Sequence, residues 1–396
     1  MAGLKEILTH LSVDVETHYD LLKYRLRERL GGRNPMMILP YRGYGTPDRM
    51  FLRGRVLEDR HIPAAEDDDS AWENLLNMWR RANTAEIPHA EVRVRFGGDE
   101  QIVTANLEGF FEAWIDPAEL LPADKLWHEV ELELVAPLRA GEPPARAKGQ
   151  VLVPPPGADF AVISDIDDTV LKTDATSLLR MARATFLGNA RVRMPFEGVG
   201  AFYRALHKGR SGQALNPMFY VSSSPWNLYD LLSEFFNLQD IPIGPVLFLR
   251  DWGLTDQGFL PTRNRIYKLS YIKEIIETFK DLSFILIGDS GQEDPEIYTE
   301  VVALFPNRIK AVYIRNVSRD PQRIDKIKEL AEQVLKAGSI LILAETTLPL
   351  AEHAAKQGWI DPDALPGIEI EKQADAAPPT PLELSLIHIS EPTRPY

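Results

Sequence analysis

The sequence predicts an α/β protein: a doubly wound domain with a parallel sheet, preceded by an all-β sandwich domain and an N-terminal helical segment. From residue 159 onwards, short apolar runs alternate with stretches of helical periodicity, which is typical of doubly wound sheets. Before that point, apolar and polar side chains alternate, as in HEVELELV and VRVRF. This alternation indicates antiparallel strands with one face on a core and the other in water.

These patterns divide the chain into four segments. We expect a helical segment at 1–34, a β-sandwich-like domain at 35–157, an α/β domain at 158–360 and a disordered tail at 361–396. The first segment has apolar residues at helical spacing between 4 and 30, and the prolines of VPPPG mark the boundary at 157. The tail is rich in Pro and Ala, and its last residues, SLIHISEPTRPY, resemble a translated sequencing-adapter tail.

Individual elements follow from the same periodicities. In the β segment, of immunoglobulin or C2-like size, further strands are expected at 50–57, 102–115 and 148–153, with one helix near 72–82. In the α/β segment, strands are expected at 160–164, 218–222, 245–249, 284–288, 310–315 and 340–344. Helices are expected near 197–208, 226–237, 268–280, 295–304, 321–337 and 349–357. The motif LPYRGYG, with Tyr41, Arg42 and Tyr44, is either a partner contact or a packed turn, and the packed turn is favoured.

The composition excludes several classes of function. The chain has 396 residues, 44% of them hydrophobic and 26% charged, which is typical of soluble globular proteins. There is no cysteine, so disulfides, thiolate metal sites and cysteine nucleophiles are excluded, and a cytoplasmic location is expected. The net charge of −14 argues against nucleic-acid binding. We also expect no signal peptide and no membrane-spanning segment.

The strongest chemical signal is the motif DFAVISDIDDTVLKT at 159–173. Its apolar run predicts a buried parallel strand, and three aspartates follow at the carboxyl end, where ligands bind in such sheets. Asp165 and Asp167 are two residues apart, so one can attack phosphorus while the other protonates the leaving group. Carboxylates this close repel one another, which a hard cation such as Mg²⁺ relieves.

Three further motifs fall at predicted strand ends or at a helix start. MFYVSSSPWNLY ends a strand in Ser222, Ser223 and Ser224, whose hydroxyl and backbone N–H groups suit a phosphoryl oxygen or a helix N-cap. YKLSYIKEII opens a helix with Lys268, a cation suited to phosphate, with Lys273 as the competing candidate. FILIGDSGQEDPEIY adds carboxylates of the kind that complete a cation site.

In this order, the motifs resemble the haloacid dehalogenase superfamily of phosphatases. Together with LRDWG they are similar to the Mg²⁺-dependent phosphatidate phosphatase catalytic domain of the actin-patch-protein type, a relative of the lipin catalytic domain. The resemblance covers residues 158–320. It implies a phosphoric monoester hydrolase that converts phosphatidate to diacylglycerol through an aspartyl-phosphate.

The resemblance also implies roles for individual residues. Asp165 would be the nucleophile, Asp167 the acid and then the base, and Thr169 the support of their loop. Ser222 would bind the phosphoryl group, and Lys268 would stabilise the charge on the nucleophile and the phosphate. The implied Mg²⁺ ligands are Asp165, Asp167, Asp289 and Asp294. Ser223, Lys172, Arg250 and Trp252 are expected to contact the substrate.

The class of substrate is indicated by a weaker sequence feature. The stretch KTDATSLLRMARATFLGNARVR at 172–193 is basic and apolar within an acidic protein. It either contacts an anionic membrane surface or packs on the core as a cap helix. We therefore expect a cytoplasmic enzyme that meets phospholipid at a membrane surface, with unknown protein partners of the β domain. The alternatives are a soluble phosphomonoesterase with a small substrate and a non-catalytic scaffold that binds anionic lipid.

Overall fold

A computed structural model describes residues 34–58, 86–122, 124–139, 141–166, 197–226, 229–250 and 261–376, and the structural statements that follow concern these residues. The helices expected within 4–30 and near 72–82 lie outside them. No described helix combines the length and the apolar character needed to traverse a bilayer.

The N-terminal part is built on a β-sheet. Its strands are β1 (Met36–Pro40), β2 (Gly43–Thr46), β3 (Arg49–Glu58), β4 (Glu91–Phe96), β5 (Asp99–Thr104), β6 (Phe110–Ile115), β7 (Trp127–Ala136) and β8 (Arg146–Leu152). In the described chain they form one eight-stranded sheet in the order β1-β3-β2-β8-β7-β4-β5, and β6 pairs with β3. All pairs are antiparallel except β2 with β8. The sandwich arrangement stays a prediction.

The alternation in the sequence reproduces the two faces of this sheet. In β7, Val130, Leu132 and Leu134 are buried and the glutamates between them are less so, because successive side chains point to opposite faces. The extended stretch expected at 102–115 is instead two strands. A turn separates them, in which Gly109 has a positive φ of 78° and the Asn106 side chain accepts two backbone N–H groups.

The C-terminal part is built on a parallel sheet. Its strands are β9 (Ala161–Asp165), β10 (Met218–Pro225), β11 (Val246–Arg250), β12 (Phe284–Asp289), β13 (Ile309–Arg315) and β14 (Leu341–Ala344). Their order is β11-β10-β9-β12-β13-β14, and every pairing is parallel. The predicted positions of all six strands are confirmed, and β9 lies at the centre of the sheet.

Helices pack on both faces of this sheet. They are α1 (Val199–Lys208), α2 (Tyr229–Leu238), α3 (Pro261–Thr278), α4 (Asp294–Leu304), α5 (Pro321–Lys336), α6 (Thr347–Lys356) and α7 (Leu365–Ala376). One buried apolar cluster joins the sheet to α1, α2, α6 and α7, and a second joins it to α3, α4 and α5. The sheet is therefore the middle layer of three, with its core on both sides.

The expectation of disorder from residue 361 is wrong for residues 361–376. A short 3₁₀ turn at Pro362–Ala364 leads into α7, whose Ile368 is buried. Glu371 forms an ion pair with Arg204 of α1, and Asp375 accepts the backbone N–H of Gly198. One buried side chain and the hydrogen bonds of Glu371 and Asp375 to residues 198–204 fix this helix, and none of them produces a periodic pattern in the sequence.

The motif LPYRGYG joins the two parts of the chain. The ring centroid of Tyr41 is 4.5 Å from that of Trp226 and 4.8 Å from that of Tyr229, at the start of α2. Arg42 donates its backbone N–H to the Tyr229 hydroxyl at 2.8 Å, and the Tyr44 hydroxyl donates to Glu274 of α3 at 2.6 Å. Tyr41 and Tyr44 are both buried, so the packed-turn interpretation is confirmed.

Candidate active site

Asp165 ends the central strand of the parallel sheet. Hydrogen bonds to β10 and β12 fix β9 on both sides, so its last residue is held at the carboxyl edge with 1% of its surface exposed. The preceding Ser164 is hydrogen-bonded to the Tyr203 hydroxyl of α1 at 2.7 Å. The apolar run ending in an acid thus places a buried carboxylate where ligands bind in open α/β sheets.

Lys268 reaches this carboxylate from α3. Its Nζ donates to Asp165 Oδ1 at 2.7 Å and also to Asp294 Oδ1, and only 4% of the residue is exposed. The helix begins at Pro261, so Lys268 lies inside it and does not open it as expected. Burial disfavours the ammonium, but the two carboxylates outweigh it and raise the pKa of Lys268 above its usual value.

Asp289 and Asp294 approach from the neighbouring strand end. Asp289 closes β12, and Asp294 begins α4 five residues later. Gly288 lies within β12, directly before Asp289, and its role is to leave space. A Cβ at Gly288 would lie 2.3 Å from Asp294 Oδ2. Glycine therefore lets the Asp294 carboxylate pack directly against the strand.

The backbone after β12 orients the Asp289 carboxylate. Its Oδ1 accepts the N–H groups of Gly291 at 2.5 Å and Gln292 at 3.0 Å. Its Oδ2 is buried and has no hydrogen-bond partner among the described residues. Burial and the nearby Asp294 raise the pKa of Asp289 to about 7. One oxygen is therefore anchored and the other is available to a ligand that carries positive charge.

Three carboxylates together form a group that can hold a metal ion. Asp165, Asp289 and Asp294 each offer one oxygen, these oxygens lie within 4.8 Å of one another, and all three residues are buried. Oxygen-only donors of this kind suit a hard divalent cation. The buried Oδ2 of Asp289 supports the same fit, because a bound cation would satisfy it.

Ser222 lies at the same edge of the sheet. It is fully buried in β10, one residue beyond the pair formed by Val221 and Asp165. Ser223 is in the same strand and Arg250 ends β11, but their side chains lie outside the described part. Asp167, Thr169, Lys172 and Trp252 lie outside the described residues altogether. The structure thus brings together Asp165, Lys268, Asp289 and Asp294, with Ser222 on the adjacent strand.

Two contacting residues were missed by sequence reasoning. Tyr203 of α1 is hydrogen-bonded to the side chain of Ser164, the neighbour of Asp165. Arg323 of α5 donates to the backbone carbonyl of Ser290, the neighbour of Asp289. Tyr203 follows the buried face of an amphipathic helix and looks like any core aromatic. Arg323 sits among other charged residues of α5, so no local pattern distinguishes it.

Known proteins share the segment that carries this site. Residues 160–316 match the model of the family described as Phosphatidate phosphatase APP1, catalytic domain. Over 232 residues the chain is 31% identical to an uncharacterized protein of Schizosaccharomyces pombe, covering 56% of this chain and 36% of that protein. Phosphatidate phosphatase APP1 of Saccharomyces cerevisiae is 33% identical over 198 residues, covering 50% of this chain and 32% of the yeast protein.

The chain therefore spans about a third of the length of these two relatives. The family match confirms the resemblance to a phosphatidate phosphatase catalytic domain for residues 160–316, which include all five described site residues. A carbohydrate acetylesterase from Xanthomonas citri aligns over 75% of this chain and 72% of its own, at 15% identity and a TM-score of 0.25. A TM-score this low carries no argument about the fold or the function.

Proposed function

We propose that this chain is a Mg²⁺-dependent phosphatidate phosphatase whose α/β part is a haloacid-dehalogenase-like domain and whose β part is a sandwich. The observation that carries the proposal is the buried group of Asp165, Asp289 and Asp294 with Lys268, at the carboxyl edge of a parallel sheet. This group lies in the segment that matches a phosphatidate phosphatase catalytic domain. The strand order, with β9 at the centre, agrees with a doubly wound domain.

Asp165 is the nucleophile in this proposal. Its carboxylate attacks phosphorus, a new O–P bond forms, and the bond from phosphorus to the glycerol oxygen breaks. Asp167 gives its proton to the leaving alkoxide, which departs as diacylglycerol. Asp167 then takes a proton from water, and the water oxygen attacks phosphorus to release inorganic phosphate and free Asp165.

The neighbouring groups bind and orient the phosphoryl group. Lys268 holds Asp165 Oδ1 at 2.7 Å, which keeps the nucleophile in place and balances the negative charge that the phosphoryl group brings. Ser222 donates to a phosphoryl oxygen, and Thr169 supports the loop of Asp167. Ser223, Lys172, Arg250 and Trp252 contact the rest of the substrate.

Asp165, Asp289 and Asp294, with Asp167, would hold Mg²⁺. When bound, the ion neutralises the acids and polarises the phosphoryl group. We place the enzyme in the cytoplasm, acting on phospholipid at a membrane surface, where the basic and apolar stretch 172–193 suits an anionic bilayer.

Release of phosphate from phosphatidate in mixed micelles, with Mg²⁺ and with a chelator, tests this function. A small soluble phosphomonoester serves as a second substrate. We expect turnover of phosphatidate that requires Mg²⁺ and exceeds turnover of the soluble ester. Faster turnover of the soluble ester would identify a small-substrate phosphatase, and binding to lipid without turnover would identify a scaffold.

The variant Asp165→Asn tests the assignment of the nucleophile. It should abolish phosphate release while its circular dichroism spectrum shows that the fold is retained. The matched control is Asp325→Asn, since Asp325 is an exposed aspartate of α5 and should have no effect on turnover. Equal turnover by Asp165→Asn and the control would contradict the mechanism.

A further inference from the structure

Arg323 connects α5 to the loop that joins Asp289, at the end of β12, to Asp294, at the start of α4. Its Nε donates to the backbone carbonyl of Ser290 at 2.9 Å, and its Nη2 donates to the carbonyl of Gln292 at 2.5 Å. The guanidinium also forms a two-pronged ion pair with Glu296 of α4, at 2.5 and 3.0 Å. Its side chain is 18% exposed and that of Glu296 is 14% exposed, so these bonds are largely shielded from water.

The contacts of Arg323 complement those of Asp289 across the same loop. The two carbonyls that Arg323 binds flank Gly291, whose N–H, with that of Gln292, points to Asp289 Oδ1. The loop is therefore held from both sides, by the carboxylate on one and by the guanidinium on the other. If the guanidinium were removed, the two carbonyls would lose their donors, and the N–H groups that orient Asp289 would lose their support.

We propose that Arg323 is a positioning residue that holds the loop at 290–293, between β12 and α4, in the conformation in which Asp289 and Asp294 face Asp165. The inference rests on the proposed function in treating a divalent cation as the ligand of these acids. Only arginine suits this position, because its planar fork reaches two carbonyls and a carboxylate at once, whereas the lysine ammonium cannot span them.

Lys326 supplies a matched control in the same helix. Its Nζ forms an ion pair with the same carboxylate oxygen of Glu296 at 2.7 Å, but its side chain is 58% exposed and makes no described contact with the loop carbonyls. Arg323→Met and Lys326→Met therefore each remove one cation from Glu296, and only the first removes the donors to the loop.

Two measurements on the full chain test the proposal. The first is amide hydrogen exchange of the peptide containing 289–296 in metal-free protein, and the second is Mg²⁺ affinity by calorimetry. Arg323→Met should speed exchange in this peptide and weaken Mg²⁺ binding by about 10- to 100-fold, the usual effect of removing a group that orients a metal ligand. Lys326→Met should leave both near the wild-type values. Arg323→Lys should resemble Arg323→Met.

Glu296→Gln separates the loop contacts from the ion pair. It keeps the guanidinium on both carbonyls, so exchange in the loop should stay near that of the wild type. The proposal is overturned if Glu296→Gln reproduces the whole effect of Arg323→Met, or if Arg323→Met behaves like Lys326→Met. If the wild type itself fails to bind Mg²⁺, the proposed function fails, whereas the exchange result still decides whether Arg323 holds the loop.

Discussion

Replacing Lys268 with methionine should destabilise the metal-free protein more than any loss of an exposed lysine. The substitution keeps a similar length of side chain but leaves Asp165 and Asp294 as buried acids without their shared counter-charge. At the 2.7 Å separation from Asp165 Oδ1, the attraction is about 6 kcal/mol for an effective dielectric constant near 20. The cost of burying the charges offsets part of this.

Removing one partner of a buried ion pair costs about 3–5 kcal/mol, and we expect a loss of this size for Lys268→Met. For a domain of this size it corresponds to a drop of about 6–20 °C in the unfolding midpoint. Mg²⁺ should recover part of the loss, because a cation among the three acids replaces some of the missing positive charge. The stabilisation on adding Mg²⁺ should therefore be larger in the variant than in the wild type.

The assay is urea unfolding followed by circular dichroism, in chelator and in excess Mg²⁺, together with phosphate release from phosphatidate. Lys273→Met is the control, since Lys273 lies in the same helix and is only partly buried. Turnover should be lost in Lys268→Met and retained in Lys273→Met. Equal stability of the two variants in chelator would refute the reasoning, as would turnover in Lys268→Met at the wild-type rate.

Two further predictions concern the packing of α1 and α7. Ile368→Ala should lower the free energy of unfolding by about 2–4 kcal/mol, because Ile368 is only 1% exposed and its truncation leaves a cavity. Ile370→Ala is the control and should have little effect, since Ile370 is 67% exposed. Urea unfolding of the two variants measures the difference. Burial lowers the pKa of His207, whose Nδ1 is 2.7 Å from the carbonyl of Asn216. The free energy of unfolding should therefore fall as the pH drops below about 6.5, the pKa of histidine in the unfolded chain, because the folded state disfavours protonated His207. A His207→Gln variant should lose this pH dependence between pH 5 and 7, and a variant whose free energy of unfolding varies with pH as that of the wild type does would contradict the reasoning.

The acids of the site could be predicted from the sequence because the chain places them by a local rule. An apolar run that forms a parallel strand ends at the carboxyl edge of the sheet, and strands β9 and β12 are adjacent there. Asp165 and Asp289 therefore come together once the strand order is known, and Asp294 follows in the first turn of α4. Both faces of these strands are buried, so each strand appears in the sequence as a short, continuous apolar run without helical periodicity.

Other features could not be predicted because they depend on contacts between residues that are distant in the sequence. Arg323 lies 33 positions after Ser290, whose carbonyl it binds. Helix α7 is held by Arg204 through Glu371, a pair 167 positions apart. Tyr41 lies before β2, and it packs on Trp226, which follows β10. In each case the residue type is unremarkable in its own segment, and only the folded chain supplies the partner.

The choice between Lys268 and Lys273 shows how local pattern and long-range contact combine. Lys268, Ile272 and Ile275 repeat at the spacing of one helix face, and both isoleucines are fully buried. A lysine in such an apolar stripe must meet an acid to stay charged, because an unpaired buried ammonium is too costly. The acids with which Lys268 forms ion pairs are Asp165, which ends β9, and Asp294, which begins α4. The pattern of the helix thus selects the lysine, and the strand ends explain why it can be buried.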